Sequence, residues 1–183
     1  MKFLKNSLII SLSLMLIAGC TKIEESQLGQ ADNQAEFPDQ ESWNSTIIIT
    51  QDARKVAEVW AGYIAVYNEK NIAVLKDSIH IDFFDKNGLH NSVLTADSGV
   101  VYNETNDLEA IGNVQVFSDS GIVLETERLN WDNNRQKIVS HVPVRFTTKE
   151  DTLIGDSFIS DPDLKNYEIR NARGYSRRKI PTK

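Results

Sequence analysis

Apolar and polar residues alternate with a period of two through most of the chain after Trp60, and short polar clusters break the alternation at regular intervals. Ile79, Ile81 and Phe83 share one parity. So do Leu94, Ala96, Val100 and Tyr102, then Val114 and Val116, then Leu129 and Trp131, and then Val142, Val144 and Phe146. Successive side chains of a strand point to opposite faces, so each set predicts one apolar face, with His80, Asp82, Gln115, Asn130 and Arg145 turned to water. The interruptions include Asn68-Glu69-Lys70-Asn71, Asp85-Lys86-Asn87-Gly88, Ser118-Asp119-Ser120-Gly121 and Asp161-Pro162-Asp163. Their Asn-Gly and Ser-Gly steps supply the positive φ of tight hairpins. Turn centres recur about every 13–18 residues, which leaves no room for a crossover helix and predicts antiparallel neighbours. Strands with one apolar face must cover it, so the meander is expected to fold over as an all-β jelly-roll or sandwich.

The strand-turn-strand unit itself repeats about three and a half times. Ala61-Gly62-Tyr63-Ile64-Ala65-Val66-Tyr67-Asn68 recurs as Ala96-Asp97-Ser98-Gly99-Val100-Val101-Tyr102-Asn103. It returns as Thr126-Glu127-Arg128-Leu129-Asn130-Trp131-Asp132, and faintly as Gly155-Asp156-Ser157-Phe158-Ile159-Ser160-Asp161. Units stacked along one axis, each covering the next one's apolar face, make a scaffold or a channel rather than a pocket enzyme. The segment from Asp52 to Trp60 fits a helical turn through Val56 and Val59, or a first strand through Val59, Ala61 and Tyr63, equally well.

Upstream, Lys2 and Lys5 precede an apolar run from Leu8 to Ala18 that ends in Ile17-Ala18-Gly19-Cys20. The run is too short to span a bilayer comfortably and reads as a secretion signal. Its ending resembles the bacterial lipoprotein signal, which implies cleavage before Cys20 and lipid on that residue. A plain transmembrane anchor, or an ordinary signal with an incidental cysteine, is the alternative. Cys20 is the only cysteine, so no disulfide supports the exported domain. From Thr21 to about Ser45 the chain is rich in Gln, Glu, Asp and Asn and is expected to act as a flexible tether. Removing Lys2 and Lys5 leaves 18 basic against 26 acidic side chains, about −8, which argues against nucleic acid as a partner.

Candidate chemistry is sparse. His80, His90 and His141 are too scattered for a local metal pattern, and the chain has no Gly-x-Ser-x-Gly elbow or phosphate-cradling glycine loop. The expectation is a non-enzymatic protein without a cofactor. Lys165, Arg170, Arg173, Arg177, Arg178 and Lys179 make the C-terminus basic, either as a solvated tail or as a contact for phosphates or an acidic partner.

One succession of motifs carries a family resemblance. Gly112-Asn113-Val114-Gln115-Val116, Gly121, Leu124-Glu125-Thr126 and Leu129-Asn130-Trp131-Asp132 are followed by Val142, Val144, Leu153-Ile154-Gly155-Asp156 and Gly174. Over roughly Trp60 to Arg178 this resembles the LptC branch of the OstA-like lipopolysaccharide-export proteins, relatives of LptA. The resemblance implies an open, twisted β jelly-roll over residues 46–180; the N-terminal readings above make residues 1–19 the lipoprotein signal and 20–45 the lipidated tether. It implies that the apolar face from Ile79 to Phe146 shields the acyl chains of lipopolysaccharide leaving an inner-membrane ABC transporter. The expected location is the periplasmic side of the envelope, anchored in the inner membrane by lipid where better-known members keep a transmembrane anchor. A sealed β core with no lipid cargo needs the same residue types and is the alternative.

Assembly is expected to use edges. Pro143 cannot donate to a ladder, which places its strand at an edge or a bulge. The last strand, from about Tyr167 to Arg177 and including Ile169, has no successor to pair with, so its free N–H and C=O groups can accept another chain. The resemblance implies that this edge receives an LptA-like bridge protein. It also implies that the segment from about Lys55 to Tyr63, with Val59, faces the transporter.

Overall fold

The alternating stretches form strands in the computed structural model, which describes residues 37–176. They are β1 (Gln40–Gln51), β2 (Arg54–Tyr67), β3 (Ile72–Phe84), β4 (His90–Ala96), β5 (Ser98–Tyr102), β6 (Asp107–Ser118) and β7 (Val123–Asp132). Then come β8 (Lys137–Ser140), β9 (Val144–Thr147), β10 (Asp151–Gly155), β11 (Ser157–Ser160), β12 (Tyr167–Arg170) and β13 (Arg173–Ser176). All thirteen join one antiparallel sheet. The ambiguous stretch before Trp60 is strand β2, entered through a tight turn at Asp52 and Ala53, both at positive φ. The first strand begins at Gln40, inside the segment read as tether, because residues 40–43 find backbone partners along β2 from Tyr63 to Val66.

The thirteen strands are nine passes of a meander, four of them broken in two: β4/β5, β8/β9, β10/β11 and β12/β13. The breaks line up with bends in the long strands, so a seam crosses the whole sheet and divides it into two half-sheets. The first runs from residues 40–43 of β1 through β5, β8 and β11 to β12. The second runs from residues 45–51 of β1 through β4, β9 and β10 to β13.

The seam is built from residues that tolerate left-handed backbone: Asn44, Asp77, Ser78, Gly112, Asn113 and Asn171 all have positive φ. At Gly62 an added Cβ would run into the Asp77 carbonyl oxygen, and at Gly112 it would lie 2.7 Å from an Asp97 carboxylate oxygen. One corner is used twice. Asn113 Nδ2 donates to Asp97 Oδ2 (2.7 Å), and Asn171 Nδ2 donates to Asp156 Oδ2 (2.8 Å). Asp97 and Asp156 donate their own backbone N–H to Gly112 and Arg170 carbonyls. These are the Asp-Ser steps that the sequence repeat aligns.

Each crossing of the seam takes one to three unpaired residues, as β-bulges take one, and this changes parity in some passes. Leu94 and Ala96 point inward, and the next inward residues are Gly99 and Val101. Val100 and Tyr102 therefore face outward, against the parity read from the sequence. The Tyr102 hydroxyl donates to Glu109 (3.3 Å), itself held by Arg128 (2.7 Å) on the outer surface. Val142 lies in the break between β8 and β9 and is half-buried. Pro143 occupies the same break, where it needs no ladder bond. The strand after it is not an edge, since β9 pairs with both β7 and β10.

The half-sheets pack their apolar faces together. Phe83 meets Trp131 across them at 5.0 Å between ring centroids, and Phe146 meets Phe158 at 5.4 Å and Tyr167 at 4.2 Å.

Candidate functional site

The apolar interior is the largest feature that the repeats build. Ile79, Ile81, Phe83, Leu94, Val114, Val116, Leu129, Trp131, Val144 and Phe146 all lie on it, and none is more than 2% exposed. Ala96 joins them, so eleven of the fourteen residues expected there are brought together. Val100, Tyr102 and Val142 are not, for the reasons given by the seam. The interior is shut against water around these side chains, and the free ends of the half-sheets meet over it.

Those free ends form a mouth opposite the seam. On one side are the turns that follow β1, β3 and β6; on the other, the segments that follow β7 and β11. Among the described residues two hydrogen bonds cross between them. Gln51 Nε2 donates to the Asn133 carbonyl (3.3 Å), and Ser118 Oγ donates to the Asp163 carbonyl (2.7 Å). The loop 161–166 also sends Leu164 into the core, where it is 0% exposed. Leu164 sits at φ +60°, a conformation unfavourable for an L side chain, so the loop accepts backbone strain to bury it. Asp161 anchors the loop through Lys137 Nζ (2.5 Å) and Asn166 Nδ2 (2.8 Å). Burial works to raise the Asp161 carboxyl, but these hydrogen bonds outweigh it and hold the group below the ordinary carboxylate range.

The edges differ from expectation at one end. Among the described residues β12 pairs only with β11 and β13 only with β10, so Tyr167 and Ile169 do lie on a terminal strand. At the other end the terminal strand is β1, which among the described residues pairs only with β2. Val59 is 0% exposed within β2, which is hydrogen-bonded on both sides, so neither it nor Tyr63 is at an edge. Tyr63 instead packs beside Trp43 (5.7 Å) and bonds to Glu41 on the edge strand. Trp43 and Ile48 of β1 are 63% and 60% exposed, and a long edge with exposed apolar side chains is a site where another chain can pair. The Ile47-Ile48-Ile49 triplet is the stretch of sequence that could have signalled β1. Leu164 had a fainter one, a lone aliphatic in a polar turn cluster.

The fold gathers histidines that the sequence leaves apart. His90 bridges Asp119 (Nδ1, 2.9 Å) and Asp82 (Nε2, 3.1 Å), and His80 reaches the same Asp82 at 3.4 Å. The hydrogen bond that His90 makes to the Asp119 carboxylate is the main cause that raises the His90 pKa above its ordinary value, with Asp82 adding to it and burial opposing. His141 is exposed and apart. Among the described residues no group of His, Cys, Asp and Glu could hold a metal ion. Cys20 and Arg177, Arg178 and Lys179 lie outside the described residues.

Comparison with known proteins agrees with this geometry. The family model described as "Lipopolysaccharide-assembly, LptC-related" matches residues 8–168. Among solved structures, the fold is similar to LptH from Pseudomonas aeruginosa, described as the LptA homologous periplasmic component of a lipopolysaccharide transport device. The TM-score is 0.50 at 10% identity, covering 62% of this chain and 80% of that one. No curated protein matches in sequence.

Proposed function

The chain belongs to the LptC-related family of lipopolysaccharide-assembly proteins. From that premise we propose that it accepts lipopolysaccharide from an inner-membrane ABC transporter on the periplasmic side and passes it to an LptA-like bridge protein. The observation that carries the reading is the family match over residues 8–168, nearly the whole chain. The geometry is consistent with it. Nine passes of strand enclose one continuous apolar face, and among the described residues a short loop and two hydrogen bonds close its mouth. The step is a transfer without covalent chemistry, driven by the acyl chains' exclusion from water at roughly 0.8 kcal/mol per buried CH₂.

In this reading the N-terminal signal is removed and lipid on Cys20 holds the chain at the inner membrane. The terminal pair β12/β13 accepts a strand of the bridge protein. The opposite edge, β1, faces the transporter in place of the Lys55–Tyr63 segment, whose strand is paired on both sides. Each junction is strand addition to an unpaired edge. The direct test is purification of the full chain from cells, followed by assay for bound lipopolysaccharide. Stoichiometric lipid that is lost when Val116 is replaced by Asp in a folded protein supports the reading. A lipid-free protein at every step of purification would favour a sealed β core that only bridges partners.

A further inference from the structure

Three buried side-chain polar atoms among the described residues have no hydrogen-bond partner: Ser92 Oγ, the Trp131 indole Nε1 and Ser160 Oγ. The three residues are 0%, 2% and 1% exposed. Unpaired buried donors are costly and scarce in natural folds, so three in one apolar interior ask for an explanation. All three lie within two residues of a strand end at the mouth. Ser92 stands opposite Phe83 in the register, and Phe83 touches Trp131 across the half-sheets. Ser160 is two strands from Trp131 through Ile138. Leu164 is the side chain that the strained loop 161–166 inserts at this same end.

We propose, resting on the lipid-carrying reading above, that this end of the interior is a port for the head of a fatty-acyl chain. Leu164 is the built-in occupant that the chain displaces. Ser92, Trp131 and Ser160 donate to the ester, amide or hydroxyl oxygens where the chain joins its headgroup. A bare alkyl chain has no use for donors, and a phosphate calls for cationic side chains, which this buried row lacks. The carbonyl or hydroxyl junction of an acylated amphiphile matches both the apolar walls and the neutral donors.

The test uses the full chain in a steroid detergent, with two disaccharide probes of equal chain length: sucrose monododecanoate, an ester, and dodecyl maltoside, an ether. The ester is expected to bind more tightly, by about fivefold for each hydrogen bond it gains. Ser160→Ala should erase about fivefold of that preference while leaving the protein as stable or more so, because it removes an unpaired hydroxyl. A purely structural serine would not move the two readouts in opposite directions. Leu164→Ala should tighten both probes several-fold, and Leu164→Met, which keeps the stopper and the volume, should bind as wild type does. If both probes bind but neither preference nor affinity responds to these changes, the port is wrong and the transport reading stands. If a folded Leu164→Ala protein binds neither probe, the failure reaches the lipid-carrying reading itself.

Discussion

Adjacent valines on one strand separate the seam from simple alternation. Continuous parity from Leu94 puts Val100 inside and Val101 outside, whereas the bulge at Asp97 reverses them: Val101 is 2% exposed, and Val100 is only half-buried. Val→Thr keeps shape and β-branching and replaces one methyl by a hydroxyl, so it reports polarity with little change in packing or strand propensity. Val101 lies between Ala73 and Leu108 in the register, and neither side chain can accept a hydrogen bond. Burying an unpaired hydroxyl there should cost about 1–3 kcal/mol. The same change at Val100 should stay within about 0.5 kcal/mol, as surface substitutions do. Urea unfolding reads the difference directly. With m of about 1–3 kcal/mol/M, Val101→Thr should lower the midpoint by on the order of 1 M at unchanged m, and Val100→Thr should barely move it. A larger loss at Val100 than at Val101 would refute the parity reversal and the seam that produces it.

The His90 bridge predicts a pH dependence. Because the folded pKa is raised by Asp119 and Asp82, its contribution is complete below the unfolded value of about 6.5 and is lost as pH rises through the folded pKa. His90→Gln should flatten this part of a stability–pH curve, and an unchanged curve would mean the bridge contributes nothing; the side chain is a third exposed, so the effect is small. At the edges, Ile169→Pro should weaken binding of the bridge protein and spare the transporter, and Ile48→Pro should do the reverse; pull-downs that show neither change would rule out strand addition. Cys20→Ala should abolish lipidation and leave the chain uncleaved or released from its membrane fraction, and a cleaved mutant that stays fully membrane-bound would rule out the lipoprotein anchor.

Strand existence and the apolar face were legible because period-two alternation maps onto a pleated sheet without reference to any neighbour. Ile79 to Phe83 and Val144 to Phe146 could be placed on the interior from sequence alone, since each set lies wholly on one side of the seam. Val100 and Tyr102 could not, because the parity reversal happens at Asp97, whose corner depends on Asn113 in the next pass. The edge at β1 was hidden for a related reason. Residues 40–45 are polar enough to read as tether, and only pairing with β2 makes them a strand. Leu164 was hidden because burial of a loop side chain is a tertiary event with no local period. The orphaned donors were invisible because Ser92 and Ser160 read as ordinary polar positions.

Capture of the cargo in living cells bears most directly on whether this interior carries lipid. A photo-crosslinking residue at Ile81 or Phe146, both at most 1% exposed, should trap lipopolysaccharide while the transporter is active. The same residue at the outward His80 or Gln115 should not. Selective inward capture is the result expected of an acyl path between the half-sheets. Equal yields from both faces, or none from the inward pair in a folded protein, would contradict it.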